Sequence, residues 1–288
     1  MTGPVTGRDR RPSLVRQSVI GDFDAAAPRP ALLRDPVLSR ARWALMPLSS
    51  IMRVQTEDRV VGLTYDDGPE PDETPDLLDV LAERGRHATF FVLSDRVEAH
   101  REIVARMLME GHEVALHGID HTNLTTVSGR EAIRRIRRAK RRIEAITRRP
   151  IRYYRPTYGA VGIPALLGAR LLGMDVVIWS AWARDWIDAP PQEIADRAIR
   201  ALHPGAILLL HDTTDPAQSS AGLADAPPRP TFSRADVARR VLEGADDAGF
   251  RTMPVGELLR SYPAVRALTV QRPHPARPRM TGKDTHQP

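Results

Sequence analysis

The sequence predicts an α/β protein built on a single (β/α) barrel domain of about seven strands. Seven short apolar runs alternate with helical-looking segments along the chain. The runs are 60–65, 88–93, 113–117, 151–155, 175–182, 206–211 and 250–255. Repeated strand–helix alternation is typical of a parallel sheet, and about seven units fit a barrel better than a small open sheet. With 42% hydrophobic and 27% charged residues among 288, most of the chain can bury a core.

Two segments between the runs carry clear helix signals. In the first, Thr74 is the expected N-cap, followed by Pro75 at the first helical position and Asp76 in the first turn. The second covers 130–147, where apolar residues recur every three or four positions. They are Ile133, Ile136, Ala139, Ile143 and Ile146. Both segments fit the helices that connect parallel strands.

The two ends of the chain differ from its middle. We expect residues 1–55 to form an N-terminal extension that is disordered over 1–30. Within it, the apolar residues of 36–52 predict a short helix that packs on the domain, and an interfacial membrane segment is the alternative. The barrel domain is predicted to cover 56–262. The Pro-, Arg- and His-rich residues 263–288 are expected to form a disordered tail.

Composition excludes several classes of site. The chain has no cysteine, which excludes disulfides, thiolate metal ligands and cysteine nucleophiles and leaves His, Asp and Glu as ligands. The net charge is +6 and nearly all of the positive charge is arginine, with lysine only at Lys140 and Lys283. We interpret this bias as compositional rather than as evidence for nucleic-acid binding. No run reaches about 18 apolar residues, and no apolar signal-peptide core follows the N-terminal arginines, so the expected location is cytoplasmic.

A basic segment at 130–149 is the other charged feature. Its basic residues are Arg130, Arg134, Arg135, Arg137, Arg138, Lys140, Arg141, Arg142, Arg148 and Arg149. A solvated outer helix face explains them most simply, and a docking surface for an anionic partner is the alternative. Aromatic residues are not interleaved with these arginines, which argues against binding of single-stranded nucleic acid.

The first candidate site is an acidic doublet at the end of a strand. Residues 64–69 read Thr-Tyr-Asp-Asp-Gly-Pro, so Asp66 and Asp67 lead from a buried apolar run into a Gly-Pro turn. Two adjacent acids repel each other and are costly to desolvate. A folded core can hold such a pair only if a cation or a proton compensates the charge.

A second cluster follows a later strand. His117 and His121 are four residues apart, so both can reach one metal ion if the segment turns helically. The residue after His117 is not the Glu of the zinc-protease helix motif, which argues against a metalloprotease. Two imidazoles and one carboxylate could hold Zn²⁺ for hydrolysis or Fe²⁺ for oxygenase chemistry. Hydrolysis gives both acids of the doublet a role, since one binds the metal and the other accepts a proton from the attacking water.

Three further polar clusters end later runs: 155–159, Asp185 with Trp186, and 209–211. Taken singly, they fit a surface arginine, a turn and a structural histidine. Taken in order with 64–69 and 117–121, they resemble the five motifs of the polysaccharide deacetylase family, carbohydrate esterase family four. The resemblance spans about residues 56–262. It implies a distorted (β/α) barrel and metal-dependent hydrolysis of an N- or O-acetyl group.

The resemblance also assigns roles to individual residues. Asp66 matches the general base, and His211 matches the general acid that protonates the leaving nitrogen. Arg155 resembles the residue that holds the base carboxylate, and Asp185 the residue that orients the acid. The matching metal ligands are Asp67, His117 and His121.

The same resemblance predicts the residues that bind the acetyl group. The backbone N–H of Tyr158 is expected to stabilise the oxyanion, while Trp186 and Leu209 line the pocket for the methyl group. The family implies a divalent metal, with Zn²⁺ expected and Co²⁺, Ni²⁺ or Mn²⁺ as alternatives.

Three positions depart from the family pattern. The family has Ser or Thr where this chain has Gly118, Pro where it has Thr122, and an acid where it has Trp182. None of these changes removes a ligand or a proton-transfer group, so they bear on loop support and the cleft wall. The other candidates match no motif role and are interpreted as structural or supporting, with sugar lining as the alternative for the tryptophans. They are His112, His203, Asp120, Asp212, Trp179 and Trp182.

The sequence therefore predicts a hydrolase that removes an N-acetyl group from an acetylated amino sugar, such as a chito-oligosaccharide or a peptidoglycan unit. The alternative substrates are a small amide, an acetylated biosynthetic intermediate or an O-acetyl ester. A third hypothesis is a glycan-binding module without activity, but such modules usually lose a ligand, base or acid, and this chain retains them all. We expect no nucleic-acid partner and no membrane span, and the sequence leaves the oligomeric state open.

Overall fold

A curled, mostly parallel β-sheet lies at the centre of the computed structural model, which describes residues 13–16, 46–213 and 230–268. Its strands are β1 (Ser13–Arg16), β2 (Ser50–Val54), β3 (Val60–Asp66), β4 (Thr89–Leu93), β5 (Glu113–Gly118), β6 (Tyr153–Tyr154), β7 (Asp175–Val176), β8 (Ala181–Trp182), β9 (Ala206–His211), β10 (Arg251–Met253) and β11 (Ala264–Leu268).

Helices connect most of the parallel strands. They are α1 (Thr74–Glu83), α2 (Ser94–Ala99), α3 (Arg101–Met109), α4 (Gly129–Thr147), α5 (Ile163–Leu171), α6 (Pro191–Ala201), α7 (Arg234–Asp247) and α8 (Val255–Ser261), with 3-10 turns at Met46–Leu48, Leu124–Thr126 and Thr157–Gly159. Helix α4 buries Ile136, Ala139 and Ile143, as its apolar spacing predicts. Among the described residues, no helix combines the length and the apolar composition needed to cross a lipid bilayer.

The sheet curls into a barrel because β2 and β8 connect its two margins. Six strands run in parallel in the order β9-β3-β4-β5-β6-β7. Strand β2 pairs antiparallel with β9 through Arg53 and Ala206. Ile51 of β2 also forms a parallel bridge with Val177, directly after β7. The chain then continues into β8, which pairs parallel with β9 through Ala181 and Trp182. The result is a distorted α/β barrel, and the predicted fold class is confirmed.

The pairing of β3 with β9 sets the position of the candidate site. The two strands are in parallel register from Val61 opposite Ala206 to Asp66 opposite His211. Every residue of β3 is buried. A strand covered on both faces requires a near-continuous apolar sequence, which explains the run at 60–65. The acidic doublet therefore begins where this buried strand ends.

Both predicted ends of the barrel domain need correction. The described part of 36–52 is not α-helical, since a 3-10 turn covers Met46–Leu48 and β2 begins at Ser50. Strand β11 lies in the predicted tail, where it pairs antiparallel with β2 and parallel with β1. These pairings join segments that are far apart in the sequence and satisfy their backbone hydrogen-bonding groups. The spacing of apolar residues within one segment does not reveal such pairing. The rest of 36–52, of 1–30 and of the tail lies outside the described residues.

The start of α1 differs from the prediction by one residue. Glu73 occupies the N-cap position and Thr74 is the first helical residue. The Thr74 hydroxyl accepts a hydrogen bond from the Glu70 N–H and donates one to the Asp212 carboxylate. It therefore links the loop after β3 to the end of β9, a contact that no local helix signal encodes.

We expect Val265→Ala to lower the free energy of unfolding by about 1–3 kcal/mol, because Val265 is fully buried where β11 pairs with β2. Ala264→Ser at the half-buried neighbouring position is the control and should change it by less than about 0.5 kcal/mol. Chemical denaturation measures both. Equal stability of the two variants would mean that β11 is not part of the cooperative fold.

Candidate active site

The candidate residues meet at the carboxyl ends of the parallel strands. Asp66 ends β3 and His211 ends β9, in register with each other. His117 lies in β5, and Arg155 directly follows β6. Loops after the strands supply the other side chains, as in parallel α/β barrels generally.

Three buried side chains form a group that could hold a metal ion. Asp67, His117 and His121 each offer one ligand atom, and these atoms lie within 4.8 Å of one another. The Nε2 atoms of His117 and His121 lie 3.3 Å and 3.2 Å from the same oxygen, Oδ1 of Asp67. Among the described residues, this is the one group of three or more His, Asp or Glu side chains with such spacing.

The hydrogen bonding of His117 fits a cation at this position. Its Nδ1 lies 2.8 Å from the carbonyl oxygen of Arg155. A carbonyl only accepts, so Nδ1 carries a proton, and Nε2 is the ring nitrogen directed toward Asp67. A backbone carbonyl that fixes one ring nitrogen and leaves the other for a cation is typical of metal-binding histidines. The two-His, one-carboxylate set suits Zn²⁺ and related divalent ions.

The backbone presents Asp67 to this group in an uncommon conformation. Its φ of 83° lies in the left-handed region, and its N–H donates to the carbonyl of Phe91 in β4. Burial alone would raise the pKa of Asp67, but His121, His117 and His211 outweigh it and hold this pKa well below its usual range. Asp67 is therefore an anion, as a metal ligand must be.

The other acid of the doublet is held by a buried arginine. Nη1 of Arg155 donates to Oδ1 of Asp66 at 2.6 Å and to the hydroxyl of Thr64 at 2.8 Å. The guanidinium is fully buried and lies 4.0 Å from the centre of the Phe91 ring. The second carboxylate oxygen of Asp66 lies 4.0 Å from Nδ1 of His117. One oxygen of Asp66 is thus used for positioning, while the other faces the group of metal-ligand candidates.

His211 is held by two hydrogen bonds to one carboxylate. Its backbone N–H and its Nδ1–H donate to the two oxygens of Asp185 at 2.7 Å and 2.8 Å. Arg234 donates to the same carboxylate at 3.2 Å. Burial alone would lower the pKa of His211, but Asp185, Asp67 and Asp66 outweigh it and raise this pKa to about 9. His211 is therefore an imidazolium near neutral pH, with Nε2–H directed away from Asp185.

Aromatic residues border the site on two sides. Tyr158 is 42% exposed, has a left-handed φ of 58°, and its ring lies 4.3 Å from that of His121. On the other side, the ring of Trp186 lies edge-on to that of His211, with 5.7 Å between ring centres. It is tilted against the ring of Trp182, with 5.2 Å between ring centres. Leu209 is buried in β9. These residues can form the walls of a pocket around the strand ends.

The loop between the two histidines is built around Asp120. Its carboxylate accepts a hydrogen bond from the Thr122 N–H at 3.0 Å and forms an ion pair with Arg135 of α4. A proline at 122 could not donate this bond. A Cβ on Gly118 would lie 2.6 Å from the Asp120 carbonyl, so the close turn requires glycine there. Two of the departures from the family pattern thus belong to one locally consistent loop, which Asp120 holds together between the two ligand candidates.

The other candidates occupy structural positions. His112 is buried away from the site, and its Nδ1 accepts the Ala88 N–H. Burial lowers the pKa of His112 to about 4, so it is neutral. His203 contacts the Pro204 carbonyl at the start of the turn before β9. Trp179 is 8% exposed and lies 5.7 Å from the Arg155 guanidinium, which is a core position rather than a sugar-lining one.

Asp212 ties the doublet turn to β9. Its N–H donates to the carbonyl of Asp66, and its carboxylate accepts bonds from Thr74 and from the N–H of Gly68. A Cβ on Gly68 would lie 1.8 Å from Oδ2 of Asp212, so this approach requires glycine. Burial raises the pKa of Asp212 to about 7.

Arg234 and Thr64 contribute contacts that the sequence does not assign. Arg234 follows the N-cap Ser233 of α7 and gives no local sign that it is buried against Asp185. Thr64 lies inside the doublet motif, two residues before Asp66 on the same face of β3, and this period-two spacing is the signal that could have identified it.

Comparison with known proteins agrees with this geometry. Residues 53–177 match the family model described as polysaccharide deacetylase. A chitooligosaccharide deacetylase from Sinorhizobium fredii is 36% identical over 170 residues, which cover 59% of this chain and 79% of that protein. The chain belongs to the polysaccharide deacetylase family. The family resemblance predicted from the five motifs is confirmed.

Other relatives of this deacetylase-family chain extend the comparison. The peptidoglycan-N-acetylmuramic acid deacetylase PdaC of Bacillus subtilis is 34% identical over 205 residues, but the match spans only 40% of its length. A solved structure of PdaC superposes with a TM-score of 0.59 at 32% identity, covering 72% of this chain and 93% of that one. A family pseudoenzyme from Bacillus anthracis gives a TM-score of 0.63 at 25% identity, covering 73% and 68%.

We expect the metal-free protein to show a His211 imidazole with a pKa of about 9 in an NMR titration with chelator present. Asp185→Asn should lower this pKa, because only Asp67 and Asp66 then oppose the effect of burial. Asp188→Asn, a nearby exposed acid, is the control and should leave it unchanged. The raised pKa stabilises the fold below about pH 6.5, and this contribution is lost as pH rises through about 9. An unchanged pKa in Asp185→Asn would contradict the assignment.

We expect the chain to bind one zinc ion, and His121→Ala to weaken this binding by at least about 100-fold, since it removes one of three ligand candidates. Equilibrium dialysis with metal analysis measures the affinity. His203→Ala, a histidine outside the group, is the control and should bind zinc like the wild type. Equal zinc affinity in the two variants would exclude this group as the metal site.

Proposed function

We propose that this chain is a divalent-metal-dependent hydrolase that removes the N-acetyl group from an acetylated amino sugar of the chito-oligosaccharide or peptidoglycan type. One observation carries the proposal. A buried group suited to a metal adjoins a carboxylate with one oxygen available, and this carboxylate is in register with an imidazolium at the end of the neighbouring strand. Amide hydrolysis needs an activated water, a proton acceptor and a proton donor, and this arrangement offers each of them.

Asp66 is the proton acceptor in this proposal. Arg155 donates a hydrogen bond to Oδ1 of Asp66. This bond fixes the orientation of the carboxylate and therefore the direction in which Oδ2 points. A carboxylate held in this way takes the proton of the attacking water without reorganising at the moment of reaction. A divalent metal held by Asp67, His117 and His121 would supply Lewis acidity that lowers the pKa of water at the site toward 7.

His211 is the proton donor. Asp185 receives both the backbone N–H and the Nδ1–H of His211, so the ring can rotate little and Nε2–H is the proton available for transfer. Because the pKa of His211 is raised to about 9, the donor is protonated at neutral pH. Protonation of the amide nitrogen makes it a better leaving group and completes the hydrolysis.

The walls of the site support an acetyl group as the part removed. Trp186 packs edge-on against the proton donor, His211. Leu209 lies two residues before His211 on β9. Apolar surface at this place suits a methyl group, and the turn at Tyr158 supplies a backbone N–H for the developing oxyanion. The family also contains a pseudoenzyme, so the fold by itself does not imply activity. The complete set of base, acid and ligand candidates supports catalysis here.

The sugar class comes from the relatives. The Sinorhizobium fredii protein is named a chitooligosaccharide deacetylase, and the Bacillus cereus relative, 30% identical over 211 residues, is named a peptidoglycan-N-acetylglucosamine deacetylase. Acetate release from N-acetylated chito-oligosaccharides and soluble peptidoglycan fragments, with zinc added, tests the proposal. Release only from simple amides or from O-acetyl esters would replace the sugar by those substrates.

We expect Asp66→Asn to lower kcat for acetate release by about 10²–10⁴-fold, because the amide cannot accept the proton. Zinc affinity should stay close to that of the wild type, since Asp66 is not among the ligand candidates. Asp120→Asn, which alters a supporting carboxylate in the ligand loop, is the matched control and should retain most activity. Full activity in Asp66→Asn would exclude it as the base.

A further inference from the structure

A stripe of exposed apolar side chains runs along α5. Ile163, Leu167 and Leu171 are 47%, 38% and 82% exposed and are four residues apart, so they share one outward face of the helix. The opposite face carries the buried Ala165 and Ala169. Scattered single leucines on a surface need no explanation, but three aligned on one helix form a contiguous apolar strip.

A ridge of arginines lies beside this stripe. The start of α4 contacts the start of α5, since a Cβ on Gly129 would lie 2.9 Å from Pro164. Further along, a Cβ on Gly168 of α5 would lie 2.9 Å from Ile133 of α4, so the two helices run side by side in the same direction. Each helical residue advances by about 100°. The exposed residues of α4 next to its α5-facing side are therefore the following three: Arg130, Arg137 and Arg141.

These three arginines differ from others on the same helix. Arg135 pairs with Asp120, and Arg142 pairs with Asp95 and Glu98. By contrast, no carboxylate of the described residues lies within ion-pair distance of Arg130, Arg137 or Arg141. Fixed intramolecular pairing thus accounts for the arginines on the inner side of α4, while the outer ridge presents uncompensated positive charge.

We propose that the α4–α5 surface, formed by Ile163, Leu167, Leu171, Arg130, Arg137 and Arg141, docks the protein on an anionic phospholipid bilayer. Apolar side chains can enter the interface between headgroups and acyl chains while adjacent cations contact the phosphates. A soluble polyanion would use the arginines but would leave three exposed apolar side chains in water. The combination of both features on neighbouring helices favours the lipid surface.

Docking through this surface is compatible with an open active site. Helix α5 begins four residues after Gly159, at the strand-end edge, and extends from there toward the start of β7. The surface therefore lies on the outer flank of the barrel rather than over Asp66 and His211. The proposal concerns attachment and does not depend on the catalytic roles of these residues.

Vesicle sedimentation of the full chain tests the proposal. The probes are phosphatidylcholine vesicles and vesicles of phosphatidylcholine with phosphatidylglycerol, at one fixed salt concentration. Leu167→Ser/Leu171→Ser removes the stripe, and Arg137→Gln/Arg141→Gln removes part of the ridge. The matched controls are Met109→Ser, an 80% exposed apolar residue of α3, and Arg200→Gln/Arg251→Gln, two exposed arginines of α6 and β10.

We expect the wild type to bind the anionic vesicles and to bind neutral ones far more weakly. The leucine variant should lose at least about tenfold in partition coefficient, the arginine variant about thirtyfold, and both controls less than about threefold. Equal binding of both vesicle types, or binding that neither surface variant weakens beyond its control, would overturn the proposal. Loss in the arginine variant alone would also overturn it, because the apolar stripe would then take no part in binding the vesicles.

Discussion

The buried ion pair between Arg155 and Asp66 is the constraint on which the site and the closure of the barrel both depend. A guanidinium without solvent needs a partner for each of its donors, because an unpaired buried charge costs several kcal/mol. Here the donors reach the Asp66 carboxylate and the Thr64 hydroxyl on β3 and the carbonyls of Val177 and Ile178 after β7. One side chain thus ties the strand that carries the doublet to the margin at which the sheet closes.

The same requirement for compensation organises the other acids at the strand ends, and each is compensated differently. Asp66 has an arginine, Asp67 faces two imidazoles, and Asp185 lies between His211 and Arg234. No cation of the described residues forms an ion pair with Asp212, and its pKa, raised to about 7, keeps part of it protonated near neutrality. Asp67 and Asp212 therefore have pKa values shifted in opposite directions, and such divergence is the usual condition for dividing acid and base roles in one site.

The sequence predicts this site to the extent that its signals are local. An acidic doublet at the mouth of an apolar strand and a histidine pair with a spacing of four are visible in the chain itself, and their order along the strands identifies the family. Strand β11 and the contact of Thr74 with Asp212 arise from pairing between distant segments, which spacing does not encode. Arg234 is missed for a similar reason, since an arginine at a helix start is usually exposed and only tertiary packing buries it.

The contact between Gly68 and Asp212 has a consequence for how the two positions can vary. The carboxylate fills the space that any side chain at 68 would need, and it is held there by Thr74 and the Gly68 N–H. A larger residue at 68 is damaging while Asp212 is present, but the same residue meets less resistance once 212 is small. The two sites are therefore epistatic: the order in which substitutions arrive decides whether the turn that carries Asp66 and Asp67 survives them.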